Sequence, residues 1–202
     1  MGIYIFSTKT LIEYLVNDEE DENSSNDFGK NIIPNMLQNG EKMFAYGFEG
    51  YWKDVGTISS LWEANMDLLG ADPVLDLDDN NFRIYSRNQS GGPQFVGANA
   101  KVVNCYVTDG CEIYGTVKNS VLGAGVKIMP GAYVKDCVLM GDTVIESGAT
   151  VNYAIIDTGV TVGAGAVVGE SRETAKGIAV LGEDIEVPAG YNIAAGEIIS
   201  EL

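Results

Sequence analysis

Residues 119–169 repeat with a period of seventeen, and this repeat limits the possible fold more than any other feature of the chain. Three aliphatic columns recur at that interval, namely Leu122, Leu139 and Ile156; Ile128, Ile145 and Val162; and Val134, Val151 and Val168. Successive columns lie six, six and five residues apart. Neither the 3.6-residue period of a helix nor the two-residue period of a strand fits this spacing. Hexapeptide spacing is typical of a parallel β-helix, in which three short strands form each coil.

Glycines lie between the aliphatic columns, where the chain must turn a corner of the β-helix. The β-helix is predicted to occupy residues 94–202. Its first coil, about residues 102–118, is out of step with the later ones, and residues 170–176 interrupt the pattern as a polar loop. Because β-helix coils stack on one another, the repeat indicates a scaffold rather than a catalytic site.

Residues 1–70 carry a different pattern, which predicts an incomplete α/β segment. Apolar runs predict strands at residues 2–6, 43–48 and 51–55, and another at 83–85 within a connection of residues 71–93. Helices are predicted to begin after Ser7 or Thr8, after Asp27 and after Thr57. Their expected buried faces include Leu11, Ile12, Leu15 and Val16, then Ile32, Ile33, Met36 and Leu37, then Ile58, Leu61, Trp62, Leu68 and Leu69. Two or three strands cannot form a covered sheet, so this segment is expected to need more chain or a partner.

Charge and composition exclude several classes of function. Twelve Lys and Arg residues against 29 Asp and Glu residues leave a net charge of −17, which disfavours nucleic acid and anionic membranes as partners. The absence of a long apolar run and of a signal-peptide pattern predicts a cytoplasmic protein with no membrane span. Cys105, Cys111 and Cys137 are expected to be reduced thiols. Because the sequence contains no histidine, His-based catalytic triads and His-ligated zinc are excluded.

The candidate for chemistry is the heptapeptide of residues 51–57, YWKDVGT. Asp54 ends a predicted strand and precedes Gly56 and a helix start, a position that faces the ligand cleft in α/β sheets. A carboxylate there suits Mg²⁺, which proteins usually bind through one or two carboxylates together with substrate phosphates. The residues alone leave alternatives open, since an Asp before a helix is more often a cap, and a tryptophan such as Trp52 is more often core than a sugar platform.

Three segments together resemble a known family. They are residues 1–6 (MGIYIF), residues 24–34 (SSNDFGKNIIP), and residues 50–57 followed by 62–69 (WEANMDLL). In this order they resemble the second half of bacterial glucose-1-phosphate adenylyltransferases, and residues 82–86 and 93–95 resemble the entry into that family's C-terminal left-handed β-helix. The resemblance covers essentially the whole chain, and its W-x-D-V-G-T and D-F-G-K motifs are fairly specific. One departure is Asn26, where the family usually has His.

The resemblance implies a reaction of ATP with glucose 1-phosphate that gives ADP-glucose and pyrophosphate for glycogen synthesis. It implies that Asp54 is one of two aspartates that hold the catalytic Mg²⁺ and that Trp52 lines the glucose side of the cleft. Asp27 and Lys30 would support that side, and Gly2 would lie beside the glucose-contacting segment. A homotetramer and an anionic metabolite effector are also implied.

The same resemblance implies that the chain is the C-terminal portion of such an enzyme. The family's Gly-rich nucleotide loop, its other metal aspartate and its Glu-Lys-Pro segment have no counterpart in these 202 residues. They are expected upstream, so the chain alone is expected neither to bind ATP tightly nor to turn over.

Three other functions are compatible with parts of the sequence. A hexapeptide-repeat acyltransferase shares the β-helix but typically uses a His base, which this chain lacks. A non-catalytic oligomerisation and regulatory module stays open as a description of the chain by itself, whereas Asp54 in its motif disfavours a catalytically silent regulatory paralogue. The D-F-G-K and R-I-Y-S segments disfavour another sugar-nucleotide pyrophosphorylase. Basic residues of the β-helix could hold an anionic effector, although a solvated face is the more common role for such residues. They are Lys101, Lys118, Lys127, Lys135, Arg172 and Lys176.

Overall fold

The computed structural model describes residues 2–77, 79–85 and 91–202. The chain forms two compact units, Met1–Gly50 and Tyr51–Leu202. The first contains helix α1 (Thr8–Glu19), a π-helical turn (Phe28–Ile32) and helix α2 (Ile33–Gln38). Residues 78 and 86–90 of the predicted connection lie outside the described residues, and the division into domains at residues 70 and 93 stays a prediction.

The second unit contains helix α3 (Ile58–Met66) followed by a parallel β-helix. Its strands are β1 (Phe95–Val96), β2 (Lys101–Val107), β3 (Glu112–Ile113), β4 (Thr116–Leu122), β5 (Lys127–Ile128), β6 (Tyr133–Lys135), β7 (Val138–Leu139), β8 (Val144–Ile145), β9 (Thr150–Asn152), β10 (Ala154–Ile156), β11 (Thr161–Val162), β12 (Val167–Val168), β13 (Ala179–Leu181), β14 (Glu186–Val187), β15 (Asn192–Ile193) and β16 (Ile198–Ile199). One face is the sheet β1-β3-β5-β8-β11-β14. The other two faces form a single sheet, β15-β12-β9-β6-β4-β7-β10-β13-β16, with β2 beside β4.

The strand register confirms the seventeen-residue period. Leu122 pairs with Leu139, which pairs with Ile156, and the other two columns pair in the same way. Every residue of the three columns is at most 1% exposed. The aliphatic columns therefore form the core of the β-helix, in which each coil covers the next.

Two departures from the period also agree with the sequence. Cys105 of β2 pairs with Ser120 of β4, only fifteen residues later, so the first coil is out of step. Val167 of β12 pairs with Asn192 of β15, twenty-five residues later. The additional residues lie in the loop of residues 170–177, which has no strand.

At one corner of the β-helix the chain turns through residues other than glycine. Asn104, Asn119, Asp136 and Tyr153 all have positive φ, between 44° and 55°, a conformation that Asn and Asp tolerate best. The amide of Asn104 donates to Oδ1 of Asn119 at 2.7 Å, and the amide of Asn119 donates to Oδ1 of Asp136 at 2.6 Å. These four residues are here called the corner ladder, and the side chains of the first three link successive coils of the β-helix.

Helix α3 packs on the β-helix beside this ladder. Trp62 is only 3% exposed and contacts the outward-facing residues Val138, Ile155 and Ile178. Its indole Nε1 donates to the carbonyl oxygen of Asp136 at 2.8 Å, and its ring meets that of Tyr153 edge to face at 5.0 Å. Since the indole is both packed and hydrogen-bonded, α3 is a fixed part of the β-helix unit.

The predicted helix starts are confirmed, but parts of the predicted buried faces are wrong. Ser7 precedes α1, Asp27 caps the π-helical turn, and Thr57 caps α3 in a reciprocal capping box with Ser60. In α1 the predicted face is largely exposed (Ile12 56%, Val16 47%), and the buried residues are Tyr14 and Asp18. Ile32 of the π-helical turn and Met36 of α2 are buried as predicted, whereas Leu37 of α2 is 66% exposed.

The predicted strands at residues 2–6, 43–48, 51–55 and 83–85 are wrong, because none of these described segments forms a strand. Ile5 is 98% exposed and Phe44 85% exposed, so the predicted burial fails as well. A strand requires a hydrogen-bonded neighbour, and the described residues provide none beside these segments. The apolar residues of these segments therefore belong to no sheet formed by the described residues.

The three cysteines are free, as predicted, and two of them are buried. Burial raises the pKa of the Cys137 thiol to about 12 and raises the pKa values of Cys105 and Cys111. Because the thiolate is the reactive form, we expect iodoacetamide at about pH 8 to modify Cys105 first, and Cys111 and Cys137 only after unfolding. Peptide mass spectrometry of native and guanidinium-unfolded protein measures this order. Rapid native alkylation of Cys137 would contradict the described core.

None of the helices among the described residues combines the length and the hydropathy that a membrane span requires.

Candidate functional site

The candidate site is built on residues 51–56, here called the 51–56 segment, which leads directly into α3. Exposure alternates along it, since Tyr51 and Lys53 are half-buried while Trp52 and Asp54 are exposed. Trp52 leaves 51% of its surface accessible. Trp52 and Asp54, two of the predicted site residues, are therefore both on the accessible side of the segment.

The half-buried side of the segment is tied to α3. The Tyr51 hydroxyl donates to Oδ2 of Asp67 at 3.0 Å, and the Lys53 ammonium donates to the same oxygen at 2.9 Å. Lys53 also pairs with Glu63 at 3.3 Å. The hydrogen bond from Lys53 lowers the pKa of Asp67, and that bond raises the pKa of Lys53, so both groups stay charged at neutral pH.

Asp54 forms a local turn and is not the helix cap. Its Oδ1 accepts a hydrogen bond from the backbone N–H of Gly56 at 2.9 Å, while Thr57 caps α3. A Cβ at Gly56 would stand 3.1 Å from Oδ1, so glycine permits this close approach. Within the described part of the chain Asp54 has no ion-pair partner. Its carboxylate is thus oriented by the backbone and accessible to a ligand.

This carboxylate fits one ligand of a Mg²⁺ ion but not a complete metal site. The described residues contain no group of three or more His, Cys, Asp or Glu side chains that could hold a metal ion. Mg²⁺ commonly keeps several waters and binds one or two carboxylates plus substrate phosphates, so a single exposed Asp suits it. Further ligands would have to come from a substrate or from other residues.

The other predicted site residues lie in the unit Met1–Gly50. Oδ1 of Asp27 accepts a hydrogen bond from the backbone N–H of Lys30 at 2.8 Å, which starts the π-helical turn. The Lys30 side chain is exposed and has no ion-pair partner among the described residues. Gly2 is exposed, and a Cβ there would meet only the Tyr4 hydroxyl at 4.0 Å. The assembly of these residues with Trp52 and Asp54 into one site stays a prediction.

The structure gives a physical role to Asn26, which the sequence left unexplained. Its φ is +53°, in the left-handed region that Asn tolerates well. Its amide donates to Oδ2 of Asp18 at 3.0 Å, and Ser24 donates to Oδ1 of Asp18 at 2.7 Å. Asp18 is only 8% exposed, so these two donors satisfy a buried carboxylate. Asn26 therefore stabilises the turn that precedes Asp27.

Most of the basic residues proposed for an effector already have partners. Lys127 pairs with Glu112 at 3.1 Å, and Lys135 pairs with Asp136 and Glu173. Lys118 lies over the ring of Tyr133 and Arg172 over that of Trp62. Lys101 and Lys176 remain exposed. The geometry thus gives an anionic effector little support at these positions.

A cleft of about 650 Å³ lies between residues 68–77 and the first coil of the β-helix, a feature that the sequence did not predict. Its walls include Leu68, Leu75 and Leu77 on one side and Val102 and Tyr106 of β2 on the other. Neither Trp52 nor Asp54 lines it. The cleft is therefore separate from the 51–56 segment.

Comparison with known families identifies both parts of the chain. Residues 1–70 match the nucleotidyl transferase family, and residues 94–185 match the GlmU-like C-terminal hexapeptide family. The chain thus combines a nucleotidyl transferase segment with a hexapeptide β-helix, in agreement with the fold.

Three curated relatives of the chain share one name. A glucose-1-phosphate adenylyltransferase of Clostridium botulinum (strain Alaska E43 / Type E3) is 59% identical over 138 residues, which are 68% of this chain and 36% of the relative. The Bacillus cytotoxicus enzyme of that name is 45% identical over 174 residues (86% and 46%), and that of Acetivibrio thermocellus 41% identical over 208 residues (98% and 49%). The chain is homologous to glucose-1-phosphate adenylyltransferases, as its motifs predicted, and spans at most about half the length of these relatives.

Proposed function

We propose that this chain supplies the sugar-phosphate side and the β-helix of a glucose-1-phosphate adenylyltransferase, which makes ADP-glucose and pyrophosphate from ATP and glucose 1-phosphate. The observation that carries the proposal is the accessible pair Trp52 and Asp54 on a segment fixed to α3, in a chain whose curated relatives bear that name. An exposed indole beside an exposed carboxylate suits a sugar phosphate and its metal ion.

Each site residue has a proposed task. Mg²⁺ at Asp54 would neutralise phosphate charge while an oxygen of glucose 1-phosphate attacks the α-phosphorus of ATP and pyrophosphate leaves. Asp54 contributes an oxygen ligand that the Gly56 N–H already orients. Trp52 offers its exposed ring to the glucose. Asp27 holds the turn that presents the ammonium of Lys30, and Gly2 leaves room beside the sugar.

The unit Met1–Gly50 supports the proposal through its exposed apolar side chains. Phe6 and Met43 pack against the buried cluster of Tyr14, Ile32 and Met36. Large apolar side chains nevertheless remain exposed in residues 2–6 and 43–48, namely Ile3 (78%), Ile5 (98%), Phe44 (85%), Tyr46 (91%) and Phe48 (48%). Apolar surface of this kind marks an interface. We infer that further strands of a nucleotidyl transferase domain cover it and bring the nucleotide-binding residues.

A chimera tests this function. It joins the N-terminal half of the Acetivibrio thermocellus relative to this chain, because that relative aligns with 98% of the chain. We expect the chimera to release pyrophosphate from ATP, glucose 1-phosphate and Mg²⁺, and the 202-residue chain alone to release none. A folded chimera without activity would refute the proposed function, and turnover by the chain alone would refute the proposed need for upstream residues.

The proposed function carries expectations about assembly and regulation. It implies a cytoplasmic homotetramer whose activity responds to an anionic metabolite. Light scattering of the chimera measures the oligomeric state. Because four of the six candidate cations have partners, we expect an effector to bind elsewhere than in the β-helix lysines, and activity assays of Lys101 and Lys176 variants measure this.

A further inference from the structure

We propose that Tyr51, Lys53 and Asp67 are positioning residues, which hold the accessible Trp52–Asp54 side of the 51–56 segment on a platform made by α3 and the β-helix. The proposal rests on the proposed function, because it takes Asp54 as the metal carboxylate. It assigns to the β-helix a direct part in the geometry of the site.

The first step is the attachment of the segment to α3. A single oxygen of Asp67 accepts from both Tyr51 and Lys53, which flank Trp52. Lys53 also reaches Glu63, one helical turn earlier in α3. After Lys53, only three residues precede the capped helix start at Thr57. The chain between two such fixed points has few conformations available, so the position of Asp54 depends on both.

The second step is the attachment of α3 to the β-helix. Trp62 faces the corner ladder, donates to the carbonyl oxygen of Asp136 and packs edge to face on Tyr153. Asp136 is in turn held by the amide of Asn119 at 2.6 Å. The platform beneath Asp67 is therefore the hydrogen-bonded corner of the β-helix.

The third step is the loop of residues 170–177, which covers Trp62. The Arg172 guanidinium lies 4.7 Å from the centre of the Trp62 ring, a cation–π distance. In the same loop Glu173 lies 3.6 Å from Lys135, which also pairs with Asp136. The loop of residues 170–177 therefore covers the outer side of the contact between α3 and the β-helix. The corner ladder is therefore connected through Trp62, helix α3 and its C-cap residue Asp67 to the segment that carries Asp54.

The chain contains a matched control for a test of these contacts. Glu112, on β3, accepts a hydrogen bond from the Tyr114 hydroxyl at 3.0 Å and pairs with Lys127 at 3.1 Å. It repeats the chemistry of Asp67, with one tyrosine and one lysine, but makes no contact with α3 in these pairings. Asp67→Ala and Glu112→Ala therefore remove equivalent interactions at two different places.

Hydrogen exchange of the 202-residue chain tests the positioning by itself. The Gly56 N–H donates to Asp54 and so reports the order of the segment. We expect Asp67→Ala to raise its exchange rate by about 10-fold or more, and Glu112→Ala to leave it unchanged. Lys53→Met should raise the exchange rate of the Gly56 N–H as Asp67→Ala does. Lys53→Arg should keep this N–H protected, because arginine retains a charged donor. Unchanged Gly56 protection in both Asp67→Ala and Lys53→Met would overturn the proposal.

The chimera tests the consequence for the reaction. We expect Asp67→Ala to raise the half-saturating Mg²⁺ concentration by about 10-fold and to change kcat less, because the carboxylate is misplaced rather than lost. Glu112→Ala should keep the wild-type Mg²⁺ dependence. Equal shifts in the two variants would overturn the proposal. If the parent chimera forms no pyrophosphate, the proposed function fails, and the exchange rates still decide whether Asp67 positions the segment.

Discussion

Asp54→Asn should lower the rate of pyrophosphate formation by the chimera by about 10³-fold or more. The substitution removes the charge that would hold Mg²⁺ against the phosphates, and it keeps an oxygen that can accept the Gly56 hydrogen bond. Because Asp54 is exposed, the free energy of unfolding should not change. Steady-state rates with saturating substrates, together with urea unfolding curves, measure the two effects separately.

Asp72→Asn is the control for this prediction. Asp72 is also exposed and lies in the same unit, after α3 and outside the 51–56 segment. Its replacement removes one negative charge and should leave the rate unchanged. A near-normal rate for Asp54→Asn would remove Asp54 from the proposed metal site, whereas a loss of rate accompanied by unfolding would assign it a structural role.

Ile145→Ala should lower the free energy of unfolding by about 2–5 kcal/mol. Ile145 is fully buried in its column, between Ile128 of the preceding coil and Val162 of the following coil. Truncation leaves a cavity that the rigid ladder of coils cannot close, and two neighbouring coils lose contacts at once. Urea unfolding followed by circular dichroism measures the loss.

Val167→Ala is the control for the core prediction, because Val167 lies in β12 and is 39% exposed. It should cost at most about 0.5 kcal/mol, as surface substitutions usually do. If the two variants lost equal stability, the aliphatic columns would not be the dominant source of stability in the β-helix.

The sequence was most informative where one physical requirement repeats. Each coil of the β-helix needs an inward aliphatic residue at the same three places. The seventeen-residue spacing of Leu122, Leu139 and Ile156 therefore predicted that they stack on one another. The sequence also predicted where the helices begin, because cap residues such as Thr57 satisfy backbone groups within one turn, here together with Ser60. In the site, YWKDVGT indicated Trp52 and Asp54, and the structure leaves both accessible.

The sequence misled where the partner of an apolar residue was not local. The run at residues 2–6 predicts a strand, but a strand needs a neighbour that the described residues do not supply. In α1, periodicity favoured Ile12 and Val16 as the buried face. The tertiary structure buries Tyr14 and Asp18 instead, and Asn26 and Ser24 satisfy the Asp18 carboxylate.

What the sequence determined by itself is therefore the β-helix, its seventeen-residue period, the helix starts and the motif of the candidate site. These features depend on contacts between near or periodically repeated residues. Only the tertiary structure decided that α3 belongs to the β-helix unit, because the bond from Trp62 to Asp136 joins residues 74 apart in the chain. That bond and the Asp67 attachment depend on how distant segments meet in space, which no local pattern of residues encodes.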